Sequence, residues 1–414
     1  MAPPVALYDN PSAMEPMFPD EGNGVLEELA TELIASAAQL SSALELGTRN
    51  AIAELVRPMN SYYSNRIEGH DTHPMDIDRA LRNDFSQDKK KRDLQLEAVS
   101  HINVSAALRK GELSGDHLEP SSAAFIKGLH AAFYDHLPDS FKVVETKESG
   151  SQQVVPGEFR TVEVKVARHV APASKSVPRF MERFAEVYDH KNLRNVSRTR
   201  RVVAVAAAHH RLAWIHPFLD GNGRVVRLYS DACFLAEELD AGGIWSISRG
   251  LARSHDTYYT HLANADSPRR GDHDGRGNLS QRGLVDFCTF FLQTAIDQVK
   301  FMHQALVLPS IEKRMDAYVD RMVTEGRLRT EARHILKELF LRGKLSRPDA
   351  ERITATSDKT LKKITDELIS LELMTASKEG VSVVFEPKYP LHISPWLLPR
   401  LYPEAKEAEL LATK

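Results

Sequence analysis

Apolar residues recur at three- and four-residue spacing along most of the chain, the stripe that a packed helix buries. From about Val25 the first stripe is set by Leu26, Leu29, Leu33 and Ile34. A second helical stretch over 48–56 meets Pro58, whose missing N–H predicts an interruption. A short helix then leads through Tyr62 and Ser64 to Gly69, a C-terminal stop. Phe125, Ile126, Leu129 and Phe133 share one face of a helix predicted over 121–136. Long helices are predicted at about 178–190, 197–214, 221–240 and 279–304, with a Gly- and Asp-rich loop at 266–278. The period falls to two in two places. Val162, Val164 and Val166 alternate with Glu163 and Lys165, predicting one short strand, and Val381, Val383 and Phe385 alternate past the Gly380 turn. Ahead of that second alternation, Ile335, Leu336, Leu339 and Phe340 mark one helix. Leu361, Ile364, Leu368 and Leu371 mark another, started by the N-cap Ser357. Helices followed by a wing are the order of a winged helix-turn-helix. The first 22 residues carry Pro3, Pro4, Pro11, Pro16 and Pro19 without periodicity and read as a flexible tail.

Length and composition narrow the class. A chain of 414 residues exceeds one compact core and divides into two or three units. Hydrophobic residues make up 42% and charged residues 27%, as in an ordinary globular chain. A net charge of −3 with pI ≈ 6.6 gives no global field for nucleic acid or an anionic membrane. The run Lys89, Lys90, Lys91, Arg92 reads as a solvated helix face. Cys233 and Cys288 stand alone without CxxC spacing, which excludes a disulfide framework or a cysteine zinc site and suits a reducing compartment. No secretory signal and no long apolar run is readable, so the expected location is cytoplasmic, with no membrane partner.

The chemistry concentrates in His216-Pro217-Phe218-Leu219-Asp220-Gly221-Asn222-Gly223-Arg224-Val225-Val226-Arg227. One helix ends near Ile215 and another begins near Gly221. Glycines ahead of a helix let backbone N–H groups approach an anion, and the helix dipole adds positive potential there. Arg224 and Arg227, three apart, are neighbours on the first turns, where guanidinium groups can hold phosphate oxygens. Asp220 beside an anion nest is explained by a bridging divalent cation, for which Mg²⁺ on one carboxylate plus phosphates is the usual arrangement. His216 remains to accept a proton from a nucleophile. Together these parts describe phosphoryl or nucleotidyl transfer from a nucleoside triphosphate, without a Walker loop.

The string resembles the HPFx[DE]GNGRxxR signature of Fic-domain proteins at every defining position. The resemblance runs over roughly residues 20–300 and includes a flap-like stretch, Pro156-Gly157-Glu158-Phe159-Arg160-Thr161, and the pair Tyr258-Tyr259. It implies transfer of AMP from ATP to a Ser, Thr or Tyr hydroxyl of a target protein, with automodification. His216 would be the general base and Asp220 the Mg²⁺ ligand. Gly221, Asn222 and Gly223 would cradle the α- and β-phosphates, Arg224 the β/γ end and Arg227 the γ-phosphate. Tyr258 and Tyr259 are candidates to stack on adenine, against a reading as core aromatics.

Upstream, Ser64-Asn65-Arg66-Ile67-Glu68-Gly69 matches the family's [ST]xxxE[GN] inhibitory signature. Ser64 and Glu68 share one side of a helical turn, so the carboxylate can pair with Arg227 and take the space of the γ-phosphate. The expected fold is therefore mainly α: a Fic-type helical core with a short β-hairpin flap and a C-terminal winged helix-turn-helix. The expected units are a flexible tail (1–22), an N-terminal helical region with the inhibitory helix (23–115), the Fic catalytic core (116–305) and the winged module (310–414). Alternatives are a protein de-adenylylase using the same site, or a nucleotide-sensing DNA-binding regulator. For the latter, residues 325–367 hold 11 Lys or Arg against 8 Asp or Glu, a thin surplus for phosphate-driven binding. Self-association into a homo-oligomer and DNA as a partner both stay open at this point.

Overall fold

The computed structural model describes residues 8–20, 23–70, 72–113, 119–146, 150–166, 169–380 and 382–402. Helix α1 (Gly24–Ser42) starts where the Asn23 side chain accepts from the Leu26 amide, and it buries Leu26, Ala30, Leu33, Ala37 and Leu40. Helix α2 (Leu46–Ile67) passes through Pro58 without a break, which corrects the two-helix expectation. An internal proline costs a helix about 3 kcal/mol. Here Ile52, Leu55, Val56, Met59, Tyr62 and Tyr63 are all buried on both sides of it, and that burial outweighs the local loss. At its C-terminal end Gly69 takes φ +78 while the His70 amide donates to Asn65 O and the Gly69 amide to Arg66 O. This is a Schellman stop, and only glycine enters it without strain. Helices α3 (Pro74–Leu81) and α4 (Lys89–Arg109) follow and pack on each other and on α2. Lys89, Lys90 and Lys91 are exposed on the first turn of α4.

Helix α5 (Ala123–Asp135) is capped by Ser122 and buries the predicted face together with His130 and Tyr134. Between α5 and the next helix lie two small antiparallel hairpins, β1 (Val143–Thr146) with β2 (Gly150–Gln153) and β3 (Lys165–Val166) with β4 (His169–Val170). The strand expected across 162–166 shrinks to its last two residues; upstream, the Val162 carbonyl accepts from the Arg160 guanidinium (3.1 Å), which also donates to Pro172 O (2.5 Å). Helices α6 (Val177–Tyr188), α7 (Arg198–Ile215) and α8 (Asn222–Ala236) come next, then α9 (Ile247–Arg253), α10 (His255–Ala265) and α11 (Gln281–Ala305). Helix α7 is buried around almost its whole circumference from Val202 to Leu212 and forms the axis of the core, against α8, α11, α1 and α6. Helix α8 stops at Ala236, short of the predicted 240, where Glu238 and Ala241 adopt positive φ.

The chain then enters α12 (Leu308–Thr324) and α13 (Ala332–Arg342), followed by β5 (Leu345–Ser346), α14 (Arg347–Thr354), α15 (Asp358–Ser370), β6 (Met374–Glu379) and β7 (Ser382–Pro387). The strands form one antiparallel sheet in the order β5-β7-β6; Val381 lies outside the described residues. This C-terminal module sits on α2. The buried Thr48 hydroxyl reaches Leu339 O (3.1 Å) and Phe340 O (2.7 Å), and Tyr63 Oη donates to Leu401 O (2.8 Å). Among the described residues no helix is long and apolar enough to cross a membrane.

The flexible-tail expectation needs correction over the part that is described. Met14 and Met17 are buried, Glu15 pairs with Arg183 (2.6 Å), and Pro16 O accepts from Arg211 Nη2 (2.7 Å). The prolines break helical periodicity, but these apolar side chains and carbonyls find partners on α6 and α7. Residues 1–7 and 21–22 lie outside the described residues.

At the join between α2 and the module, Gly47 lies against the backbone of Gly343, and a Cβ there would collide with the Gly343 carbonyl. Gly47→Ala should therefore lower the unfolding free energy by about 1–3 kcal/mol. Gly24→Ala, at a helical position with nothing within 4 Å, should leave it unchanged or slightly raised. Urea unfolding of both variants beside the parent checks the contrast.

Candidate active site

The loop joining α7 to α8 is fixed from several directions. His216 ends α7 in the left-handed region (φ +50), and its carbonyl accepts from Arg160 Nε (2.9 Å). The Arg160 amide donates to Pro217 O (2.9 Å), so one buried arginine fastens the 156–161 stretch to the loop. Asn222 clasps the turn: its Oδ1 accepts from the Phe218 amide (2.9 Å) and its Nδ2 donates to Phe218 O (2.8 Å). Phe218 is fully buried and stacks on His130 with ring centres 4.0 Å apart. His130 in turn receives the Gly157 amide on Nδ1 (2.8 Å), leaving Nε2 to donate to Asp220 O (3.2 Å). Gly221 has φ +77, and a Cβ there would press on the Tyr134 ring, so this position needs glycine on both counts.

His216 is half-buried, and its pKa is lowered to about 4, chiefly by desolvation and secondarily by the charges of His169 and Arg160. Its ring is neutral at neutral pH and able to accept a proton. For Asp220, burial opposes ionisation, yet Arg224, the Tyr134 hydroxyl (2.7 Å) and the Gly221 amide outweigh it and hold the carboxyl below its ordinary value.

The two motif arginines are each held by a carboxylate from the N-terminal region. Arg227, 1% exposed, donates from Nε to Ser64 Oγ (2.9 Å) and from Nη2 to Ser64 O (3.0 Å) and Glu68 Oε1 (2.7 Å). Ser64 and Glu68 thus share one guanidinium, as their helical spacing predicts. The Glu68 carboxylate also lies over the start of α8: a Cβ at Gly223 would collide with Glu68 Oε1. Burial raises the Glu68 pKa, but Arg227 and Arg224 overcome this and leave it lowered. Arg224 pairs instead with buried Glu97 of α4 (3.3 Å) and lies over the Phe133 ring at 5.0 Å. Glu97 is joined on its other oxygen by His70 Nδ1 (2.6 Å).

The structure brings together His216, Asp220, Gly221, Asn222, Gly223, Arg224 and Arg227 with Ser64, Glu68 and Gly69. It separates the tyrosine pair. Tyr258 is buried, and its hydroxyl is within 2.8 Å of His209 Nε2, so it is a core aromatic and not a stacking platform. Tyr259 keeps an exposed ring (42%) on α10. Glu97, His70, Tyr134 and Arg160 were not singled out by sequence reasoning. Glu97 carried one usable signal, a carboxylate beside Ala98 and four before His101, on the face of α4 that packs inward.

Helical packing around a glycine-flanked loop at a helix start, with two buried arginines, is an arrangement of the kind that suits an anionic ligand. Residues 120–233 match the Fic/DOC family model. Over 72 residues the chain is 40% identical to a protein adenylyltransferase Fic of Drosophila erecta and 43% identical to that of Drosophila willistoni. Each match covers 17% of this chain and only 14% of the relative's length. The crystal structure of a Fic family protein from Desulfovibrio desulfuricans G20 aligns over 90% of this chain and 98% of that one, with TM-score 0.53 at 15% identity, and has the same fold. Residues 120–233 are therefore a Fic-type domain within this chain.

The Glu68–Arg227 pair makes stability depend on pH with a definite sign. Because folding lowers the Glu68 pKa, its contribution is complete above the unfolded carboxyl range and is lost as pH falls through the native value. Glu68→Gln should cost about 1.5–3 kcal/mol at neutral pH, the worth of a hydrogen bond to a charged group. That gap should close progressively in acid, as urea unfolding of both proteins across a pH series would read out.

Proposed function

We propose that the protein transfers AMP from ATP to a Ser, Thr or Tyr hydroxyl of a target protein, itself included, and that Glu68 holds this activity in check. The observation that carries the reading is the position of Glu68, bonded to Arg227 and lying where Gly223 leaves room at the start of α8. A carboxylate there fills the place of a nucleotide's terminal phosphate and repels a triphosphate beside it.

In the forward reaction the neutral His216 ring takes the proton of the target hydroxyl as its oxygen attacks the α-phosphorus. The bond to the diphosphate breaks, and the leaving group carries its charge against the α8 amides, Arg224 and Arg227. The Phe218–Asn222 clasp keeps those amides in place beforehand, so none of that ordering is left for the reaction step. Asp220 fits a Mg²⁺ site of the kind shared with substrate phosphates: it is ionised, half-buried and oriented by Tyr134. No group of three or more His, Cys, Asp or Glu converges into a cage for a metal ion among the described residues. When bound, the ion would supply Lewis-acid neutralisation of the departing diphosphate. Tyr259 is the aromatic left to cover an adenine. The C-terminal module reads as a winged helix, with α15 as its exposed third helix and β6–β7 as its wing.

Glu68→Gly should raise incorporation of labelled AMP by roughly tenfold or more, since each 1.4 kcal/mol is a factor of ten. His216→Ala in the same background should abolish it. Mass spectrometry after incubation with ATP and Mg²⁺ checks both. A Glu68→Gly protein that binds ATP yet gains no AMP adduct on itself or on lysate proteins would overturn the reading.

A further inference from the structure

Glu68 neutralises only one of the two motif arginines. With Glu68 removed, Arg224 still faces a buried carboxylate, Glu97, which is 6% exposed and comes from a different helix. Arg224 is itself 6% exposed, and its Nε is buried without an acceptor among the described residues. A guanidinium has five donors in a fixed fork. Here Glu97 engages Nη1, the Phe133 ring covers a face, and the Nε donor is buried without an acceptor among the described residues. Any phosphate oxygen that reaches Arg224 must share it with the Glu97 charge.

We propose that Glu97 is a second anion-competing carboxylate, which sets how strongly the site discriminates between nucleotides by their number of phosphates. This rests on the nucleotide-binding reading given above and extends it to the arginine that Glu68 leaves alone. His70 tunes the competitor. Its Nδ1 lies 2.6 Å from Glu97 Oε2, so it draws part of the carboxylate's charge away from Arg224. His70 stands two residues past Glu68, across the Gly69 turn, so the two locks share one bend of chain. Solvent reaches the pair through a cavity of about 610 Å³ bounded by His70, Lys89, Lys90 and Glu97.

The charge arrangement decides the signs. Glu97→Gln keeps the side chain's shape and removes the repulsion on a triphosphate, while AMP, which lacks the β- and γ-phosphates, never meets Arg224. His70→Ala returns the full carboxylate charge to Arg224. Calorimetric titration of the full-length Glu68→Gly protein, alone and with each second substitution, reads these effects with Mg·ATP and with AMP. Glu97→Gln should tighten Mg·ATP by about tenfold, His70→Ala should weaken it severalfold, and AMP affinity should stay within about twofold in both. Equal weakening of ATP and AMP by Glu97→Gln would make Glu97 a packing residue and overturn the proposal, as would no change at all. Should Glu97→Gln fail to fold by circular dichroism, His70→Ala still decides, because its ring is 35% exposed and its predicted effect has the opposite sign. If Glu68→Gly alone binds and transfers AMP but these differences are missing, only this inference falls. If Glu68→Gly binds no nucleotide, the proposed function falls with it.

Discussion

A guanidinium with almost no contact with water must have an anion, because an unpaired buried charge costs several kcal/mol. Arg227 is in that position, and much of the N-terminal region is arranged around it. Three of its hydrogen bonds end on Ser64 and Glu68, both supplied by the last turn of α2. That demand explains why α2 lies against α8, why its end is a tight glycine stop, and why an acidic side chain survives at its C-cap. A carboxylate at a helix C-terminus opposes the helix dipole. Two arginines beyond that terminus compensate for it.

The site loop obeys a second constraint, a turn that must be held in one shape at a helix start. Asn222 satisfies Phe218 on both sides, Phe218 is wedged against His130, and Arg160 grips the His216 carbonyl. Each contact stabilises the turn from behind, while Glu68 lies over the start of α8. The half-buried His216 and Asp220 stand at the two ends of that turn, both unprotonated at neutral pH: one a neutral ring, the other a charged carboxylate.

How much of this was readable in the sequence depended on distance along the chain. The loop from His216 to Arg227 was legible because its parts are contiguous, and Ser64 with Glu68 because they match the inhibitory signature that accompanies that loop, helical spacing adding only that the two share one side. Glu97, Tyr134 and Arg160 meet the loop from three other elements, and no local periodicity reports such meetings. Pro58 misled because a local rule about one missing N–H was set against the burial of a whole enclosed helix. Tyr258 misled for the converse reason: neighbours in sequence on a helix point to different surroundings, and Tyr259 alone faces outward. The 8–20 stretch lacked periodicity because its partners are backbone carbonyls and single apolar anchors, which follow no repeat.

Helix α2 runs unbroken for 22 residues, a strut roughly 33 Å long. One tip is wedged under the backbone at Gly343, and the other carries the Glu68 carboxylate. A tilt of about 5° at the wedged tip sweeps the far tip through roughly 3 Å over that length, as far as the span of the contact it makes with the guanidinium. The end of α13 is therefore a bearing as much as a neighbour: the fit of two glycines at one tip of α2 fixes the aim of a carboxylate at the other.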